Sequence, residues 1–282
     1  MMRKKPMLAY PVSDKPIDYS KPVFIQPKLD GVRCVIQRDR GMMYNNIITA
    51  YSRTGKQWKN ISHILRELVP FFDKHPNVIL DGELYNHDLK NDFEKIISLV
   101  RKTKPTDEHR LESKEMVQFH CYDIIDEELP FDQRIDFIYE NLSVRYVHLV
   151  KTLQTDEASA HFIHTMNKEN GYEGSIVRTN DVYKCGRSWS LRKFKDFEDS
   201  EALLLDWVEG LGKRKGTIGK FMAQDMDGNV FGMPVMDKFK YLQDNFEEMK
   251  TWVGKMATFK YFERTKAGSY RHPLFKTIRD YE

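Results

Sequence analysis

The sequence predicts an α+β fold in two parts, and two observations carry that prediction. Up to about residue 197, extended segments mix with amphipathic helices; after Asp199 the texture changes to short strands interrupted by one helix. A boundary between residues 1–198 and 199–282 follows. The composition supports packed cores, since 40% of the 282 residues are hydrophobic and 12% are aromatic. No apolar run approaches the roughly 20 residues of a membrane span. The start Met1-Met2-Arg3-Lys4-Lys5-Pro6 lacks the apolar segment of a secretory signal, so a cytoplasmic protein without membrane attachment is expected.

In chain order, Pro22-Val23-Phe24-Ile25 reads as the first strand, with only about 20 residues before it, and Cys34-Val35-Ile36 reads as the next. Asp30-Gly31 is the bend between them. Ile61, Ile64, Leu65 and Leu68 repeat at helical spacing after Asn60 as N-cap, and Ile135, Ile138, Tyr139 and Leu142 do so after Asp132. A further helix spans 155–171, with acids at its start and glycine at its end. Beyond the boundary, strands are expected at 202–208, 220–225, 230–233 and 255–262, with Asp227-Gly228 as a hairpin turn. Phe239, Leu242, Phe246 and Met249 form one helical stripe. Short strands plus one helix fit a small barrel of the OB type.

A net charge of +3 does not by itself mark a nucleic-acid binder, because local clustering decides that. The basic runs Arg3-Lys4-Lys5, Arg101-Lys102-Thr103-Lys104 and Lys213-Arg214-Lys215 read individually as solvated loops. Cys34, Cys121 and Cys185 are widely spaced and never form CxxC, so reduced thiols are expected rather than disulfides or a zinc knuckle. His161 and His164 lie three apart on a helix with no further ligands nearby, and read as exposed helix histidines. No GxxxxGK[ST] occurs, and the 210–219 segment misses that spacing, which argues against a P-loop ATPase.

Lys28-Leu29-Asp30-Gly31-Val32-Arg33 is the most informative stretch. A lysine amine attacks only when neutral, and its unperturbed pKa near 10.4 has to be lowered by desolvation, other cations or a metal. Arg33 and downstream lysines are placed to do so. Asp81-Gly82-Glu83 follows the apolar Val78-Ile79-Leu80 and puts two carboxylates at a strand end, where a metal or a ribose can be held. Phe119-His120-Cys121-Tyr122-Asp123 is an aromatic-rich strand, Glu173-Gly174-Ser175-Ile176-Val177-Arg178 opens another, and Leu191-Arg192-Lys193-Phe194-Lys195 puts Lys193 and Lys195 on one strand face.

Taken together with Tyr51-Ser52-Arg53-Thr54-Gly55, and in this order, these stretches resemble the covalent nucleotidyltransferases: ATP-dependent DNA ligases, RNA ligases and mRNA capping enzymes. Tyr183-Lys184-Cys185-Gly186-Arg187-Ser188, the run from Gly254 to Phe262, and Gly268-Ser269-Tyr270-Arg271-His272-Pro273-Leu274-Phe275-Lys276-Thr277-Ile278-Arg279 are similar to the small viral and phage ATP-dependent DNA ligases. The resemblance covers the chain from about residue 21 to its end.

The resemblance implies an ATP-grasp-like adenylation domain followed by an OB-fold barrel. It also implies a monomer that uses ATP and Mg²⁺ (or Mn²⁺) to seal nicks in double-stranded DNA during replication, repair or recombination. Lys28 would attack the α-phosphate to form lysyl-AMP, the AMP would pass to a 5′-phosphate, and the 3′-hydroxyl would then seal the strand. Lys28, Asp30, Lys193 and Lys195 form the implied catalytic set. Glu83 binds the ribose and, with Glu173, the metal; Tyr122 stacks on adenine. Arg33 and Arg53 sit by the nucleotide and the nick phosphate, and Arg271 and Arg279 orient pyrophosphate. Gln26 stands where the family often has Glu and keeps an acceptor for the adenine amino group. The chain also departs from its relatives in lacking an extra N-terminal DNA-binding domain and in having only a short basic loop at 210–219 in place of a long DNA-closing insertion. An RNA ligase or another covalent nucleotidyltransferase is the alternative enzyme reading. A non-catalytic nucleic-acid binder is disfavoured by the intact Lys28, Glu173, Lys193 and Lys195 set.

Overall fold

The computed structural model describes residues 4–40, 46–90, 92–264 and 268–279, so Arg3 of the first basic run lies outside them. The chain divides into two compact units, Met1–Lys195 and Asp196–Glu282. The division falls three residues before the expected 198/199 boundary, because a strand that belongs to the second unit already begins at Glu198.

The first unit contains strands β1 (Met7–Pro11), β2 (Val23–Lys28), β3 (Val32–Arg40), β4 (Asn46–Tyr51), β5 (Ile79–Tyr85), β6 (Gln118–Ile124), β7 (Val147–Leu149), β8 (Leu153–Thr155), β9 (Gly174–Thr179) and β10 (Gly186–Phe194). They form two five-stranded sheets, ordered β1-β10-β9-β2-β8 and β4-β3-β5-β6-β7. Helices α1 (Ser62–Glu67), α2 (Val69–Lys74), α3 (Phe93–Val100), α4 (Asp107–Met116), α5 (Phe131–Asn141) and α6 (Glu157–Glu169) complete the unit.

The two-residue period of the strands sorts side chains between layers. Cys34 and Ile36 of β3, Leu80 and Leu84 of β5, and Phe119 and Cys121 of β6 join the main core with Ile64, Phe72, Leu99 and Ile138 from the helices. Val23, Ile25 and Val177 pack against Ala160 and Ile163 of α6. Between the sheets, Met7, Val35, Ile79, Tyr183 and Leu191 make a smaller apolar cluster. The candidate site lies between the same facing surfaces, beside this cluster.

The Asp30-Gly31 bend forms as expected and carries the chain from one sheet to the other, since β2 and β3 belong to different sheets. Several expectations are corrected. The first strand is Met7–Pro11, which pairs in parallel with β10 and has no local partner to reveal it. Asn60 does not cap α1; it is buried, and its amide donates to the carbonyls of Leu99 (3.0 Å) and His109 (3.1 Å). Pro130 rather than Asp132 stands at the N-cap position of α5, with no side-chain capping bond, and Asp132 accepts from Asn180. The 155–171 helix is shorter at both ends: Thr155 belongs to β8, and Asp156 caps the Ser159 amide at 2.8 Å. His164 is buried, because α6 turns it onto the sheet, whereas His161 is exposed as expected.

The second unit holds β11 (Glu198–Glu209), β12 (Ile218–Gln224), β13 (Val230–Pro234), β14 (Met256–Tyr261), β15 (Glu263–Arg264), β16 (Tyr270–Arg271) and β17 (Leu274–Ile278), with α7 (Phe239–Asp244) and α8 (Phe246–Lys250). Its main sheet runs β13-β12-β11-β14-β17, all antiparallel, around a core centred on Phe221, Phe259 and Leu242. The edge strands β13 and β17 touch. The turn at Asp227-Gly228 forms as expected: Gly228 takes φ 85°, and Asp225 accepts from the Asp227 and Asn229 amides. The single helix expected over 239–249 is two, broken at Asn245, whose ψ of 12° leaves the helical range. Among the described residues, no helix is long and apolar enough to cross a membrane.

Asp123, fully buried, ties the first unit together by accepting from Arg134 at 2.7 and 3.2 Å and from Arg178 at 2.6 Å. Asp123→Ala leaves two buried guanidiniums short of their counter-charge, so unfolding free energy should fall by roughly 3–5 kcal/mol. Urea denaturation followed by circular dichroism measures this as a lower midpoint.

Candidate active site

Strand alternation aims the site. Gln26 and Lys28 of β2, Ile176 and Arg178 of β9, and Leu191 and Lys193 of β10 face the second sheet and line one cavity, to which β3, β5 and β6 contribute Arg33, Glu83 and Tyr122. Arg53 also lines it, from the turn after β4, where the Gly55 amide donates to the Ser52 carbonyl and Gly55 takes φ 92°. Two glycines permit the close approaches. A Cβ on Gly31 would lie 2.5 Å from the Leu84 carbonyl oxygen, and one on Gly174 would lie 2.4 Å from that of Phe194.

Lys28 ends β2, opposite Gly174, and its ammonium pairs with Oε2 of Glu173. The other oxygen of that carboxylate pairs with Lys195. The Glu173 side chain is only 5% exposed, so a single buried carboxylate is shared by two lysines. Lys193 stands beside them. Burial first, then the positive charges of Lys28 and Arg187, lowers its amine below the usual lysine value. Arg187 is exposed and anchored on the Ala9 carbonyl at 2.7 Å.

Glu83 pairs in register with Arg33 across β3 and β5 and accepts from the Tyr122 hydroxyl at 3.3 Å. Burial pushes its carboxyl up to about 7, against the opposing pull of Arg33 and Lys28. A carboxyl titrating near neutrality can either accept from or donate to a hydroxyl. Tyr122 reaches the cavity through a bulge: Asp81 opposes Asp123 while Gly82 opposes Cys121, which leaves Tyr122 as the extra residue on β6. Arg33 and Arg178 lie over its ring at 5.1 and 5.5 Å.

Arg33 is committed to the fold: it makes a two-pronged pair with buried Asp81, at 2.6 and 2.5 Å, and Asp81 also accepts from Tyr183 at 2.7 Å. Of the two carboxylates in Asp81-Gly82-Glu83, only Glu83 therefore faces the cavity. Gln26, 2% exposed, accepts from Arg178 and donates to the Tyr122 carbonyl and to Thr152. Asp30 follows in the bend and does not line the cavity. Arg271 and Arg279 belong to the second unit: Arg271 lies 5.8 Å from the Phe262 ring, and Arg279 pairs with Glu201.

Three residues to which the sequence assigns no role matter here. Arg178 is the first, and the period of β9 counted from Ile176 already places it on the cavity face. Thr152 sits in a short loop and gives no signal. His164 is 4% exposed, stacks on Phe194 with ring centroids 3.9 Å apart, and meets the Ser175 hydroxyl at 3.2 Å, so it packs against β9 and β10 next to the site.

A family model described as the ATP dependent DNA ligase domain matches residues 6–195, which contain this whole cavity. The chain belongs to the ATP-dependent DNA ligase family. The ligase is an enzyme that joins DNA with ATP. Its fold is that of solved DNA ligases. A Lig E DNA ligase is 23% identical over 99% of this chain and 100% of that one, with a TM-score of 0.77. Pmar-Lig_Pre is 21% identical over 99% and 68%, with a TM-score of 0.78. The bacteriophage T7 ATP-dependent DNA ligase, solved with ATP, is 18% identical over 98% of both chains, with a TM-score of 0.54. No curated protein sequence matches the chain.

The raised Glu83 carboxyl has a consequence for the ligase's stability. Its folded value of about 7 lies above its ordinary 4.5, so the folded protein binds this proton more tightly than the unfolded chain. The stabilisation is complete below about pH 4.5 and is lost as the pH rises through 7. Glu83→Gln removes that loss: relative to wild type it should gain roughly 1–3 kcal/mol at pH 8 and little at pH 4.5. Thermal melts of both proteins across this range test the sign.

Proposed function

We propose that Lys28 is the nucleophile of a three-step nick-sealing reaction, and the observation that carries this is the Glu173 carboxylate shared between Lys28 and Lys195 at the wall of the cavity. In the first step Lys28 Nζ attacks the α-phosphorus of ATP, an N–P bond forms, the bond to the bridging oxygen breaks and pyrophosphate leaves. Before attack Nζ has to lose a proton, and Oε2 of Glu173 is the acceptor in contact with it. Lys193 beside Lys28 favours that loss by like-charge repulsion, and with Lys195 it offsets charge gathering on the α-phosphate oxygens. Glu83 takes the ribose, and Tyr122 and Gln26 take the base.

The donor set fits a hard divalent cation. Among the described residues no cluster of three or more metal-ligating side chains occurs, but Mg²⁺ bound with substrate phosphates needs only one or two carboxylates, and Glu173 and Glu83 supply them. Such an ion would neutralise phosphate oxygens during transfer.

In the second step the AMP passes from Lys28 to the 5′-phosphate at a nick in duplex DNA; in the third, the 3′-hydroxyl attacks that phosphate and AMP is released. Arg33 is taken up by Asp81, so Arg53, exposed on its turn, is the arginine that serves the nick phosphate. We assign the first unit as an adenylation domain. The second, with its antiparallel strand order and touching edges, we assign as an OB barrel whose Arg271 and Arg279 orient pyrophosphate. The enzyme acts as a monomer in this reading.

Incubation with α-labelled ATP and Mg²⁺, followed by denaturation, should leave a covalent label on wild type. Lys28→Ala should abolish it; full labelling of that variant sinks the assignment. Arg53→Ala should separate the steps, because its guanidinium has a two-pronged partner only when the nick phosphate is present. Adduct formation should stay within about twofold of wild type, while sealing of a 5′-phosphorylated nick falls by at least roughly tenfold, a loss of about 1.4 kcal/mol. Equal losses in both assays would move Arg53 into the nucleotide pocket.

A further inference from the structure

We infer that Arg178 and Thr152 hold the Gln26 amide in one orientation and thereby make it an acceptor-only reader that selects a 6-aminopurine over a 6-oxopurine nucleotide. The inference rests on the adenylation reading above.

A glutamine amide has a carbonyl with two lone pairs and an amino group with two hydrogens, and a half-turn exchanges them. At position 26 that half-turn is blocked from both sides. Arg178 is donor-only, and its Nε donates to Oε1 of Gln26 at 2.8 Å, so the oxygen has to lie on that side. Arg178 itself is held by Asp123 at 2.6 Å and cannot swing away without leaving a buried carboxylate partly unpaired. On the other side, Nε2 donates to the Tyr122 carbonyl at 3.1 Å and to the Thr152 hydroxyl at 2.8 Å. The Thr152 hydroxyl in turn donates to the Val150 carbonyl at 3.1 Å, so it offers Gln26 a lone pair.

Both amino hydrogens of Gln26 are therefore used, and one lone pair of its oxygen is left. Any base that touches Gln26 in this cavity meets an acceptor. Lys28 lies two residues along the same face of β2, roughly 7 Å away, which suits an α-phosphate at one end and a base at the other. Adenine presents an amino donor at position 6 and guanine a keto acceptor. A keto oxygen facing the Gln26 oxygen leaves two buried acceptors opposed, and that mismatch is penalised. Thr152 lies in the loop between β7 and β8, outside every stretch that carries the ligase resemblance.

The test compares covalent labelling by α-labelled ATP and α-labelled GTP at matched concentrations. Wild type should favour ATP. Thr152→Val removes the acceptor and frees one amino hydrogen, so the ATP-to-GTP ratio should fall several-fold. Arg178→Met removes the donor that fixes the oxygen, and the ratio should fall by roughly tenfold or more. Thr152→Ser and Arg178→Lys, which keep the acceptor and the donor, should restore it. A merely structural role would slow both nucleotides alike and leave the ratio unchanged. A wild-type ratio in Thr152→Val overturns the inference, and that variant decides the matter if Arg178→Met does not fold. A wild type labelled by neither nucleotide overturns the adenylation reading, and this inference with it.

Discussion

Glu173 has two carboxylate oxygens and two lysines, one from the end of β2 and one just past β10, and the arrangement of the cleft follows from that sharing. A buried carboxylate needs a counter-charge, and a lysine sent into the same space needs one as well. By satisfying Lys28 and Lys195 together, Glu173 brings the ends of three strands to one point. The glycine after it matters because only a residue without a Cβ lets β9 lie against the Phe194 carbonyl. Lys193 stands beside Lys28 and Lys195, and its ammonium is disfavoured first by burial and then by the positive charges of Lys28 and Arg187.

The same logic separates groups that build the cleft from groups that face it. Asp81 and Asp123 are fully buried and fully engaged, one with Arg33 and Tyr183, the other with Arg134 and Arg178. Neither is free to meet a substrate. Their work is to hold the arginines in place, while Lys28, Lys193, Arg53 and Glu83 bring charge to the cavity and Lys195 and Glu173 stand beside Lys28. Two acidic residues one strand period apart, Asp81 and Glu83, thus end with different roles because the Arg33 guanidinium, in register with Glu83, reaches diagonally to pair with Asp81.

Much of the site was legible in the sequence because its motifs follow one another in the order of the covalent nucleotidyltransferases and because strand alternation puts Lys193 and Lys195 on one face. Lys28, Glu173, Lys193 and Lys195 sit on or beside strands whose alternation is visible, and all four meet in the structure. Arg33 lines the cavity as well, but its pairing with Asp81 is not legible, because that partner comes from β5, some 50 residues on, and strand register between distant segments leaves no trace in either segment. The parallel strand Met7–Pro11 was missed for the same reason: its partner, β10, lies near the far end of the unit. His164 was read as exposed because helical spacing shows which residues share a face and does not show which face the sheet covers. The break at Asn245 falls inside a stripe that is apolar at helical spacing throughout, since Leu242 and Met249 are both buried from separate helices.

Where the sequence was silent, the hydrogen-bond directions are informative. A Gln in place of Glu two residues before Lys28 keeps the shape of the side chain and removes its charge, but it adds a donor that a carboxylate never offers. A chain that makes this change must dispose of the two amino hydrogens or present one of them to the base. Here they are disposed of, into the Tyr122 carbonyl and the Thr152 hydroxyl, while Arg178 holds the oxygen. The neutral amide is thereby left with the hydrogen-bonding character of the carboxylate it replaces. A single substitution in the strand and a threonine more than 120 residues away belong to one device, because the polarity of a buried amide is set by its neighbours.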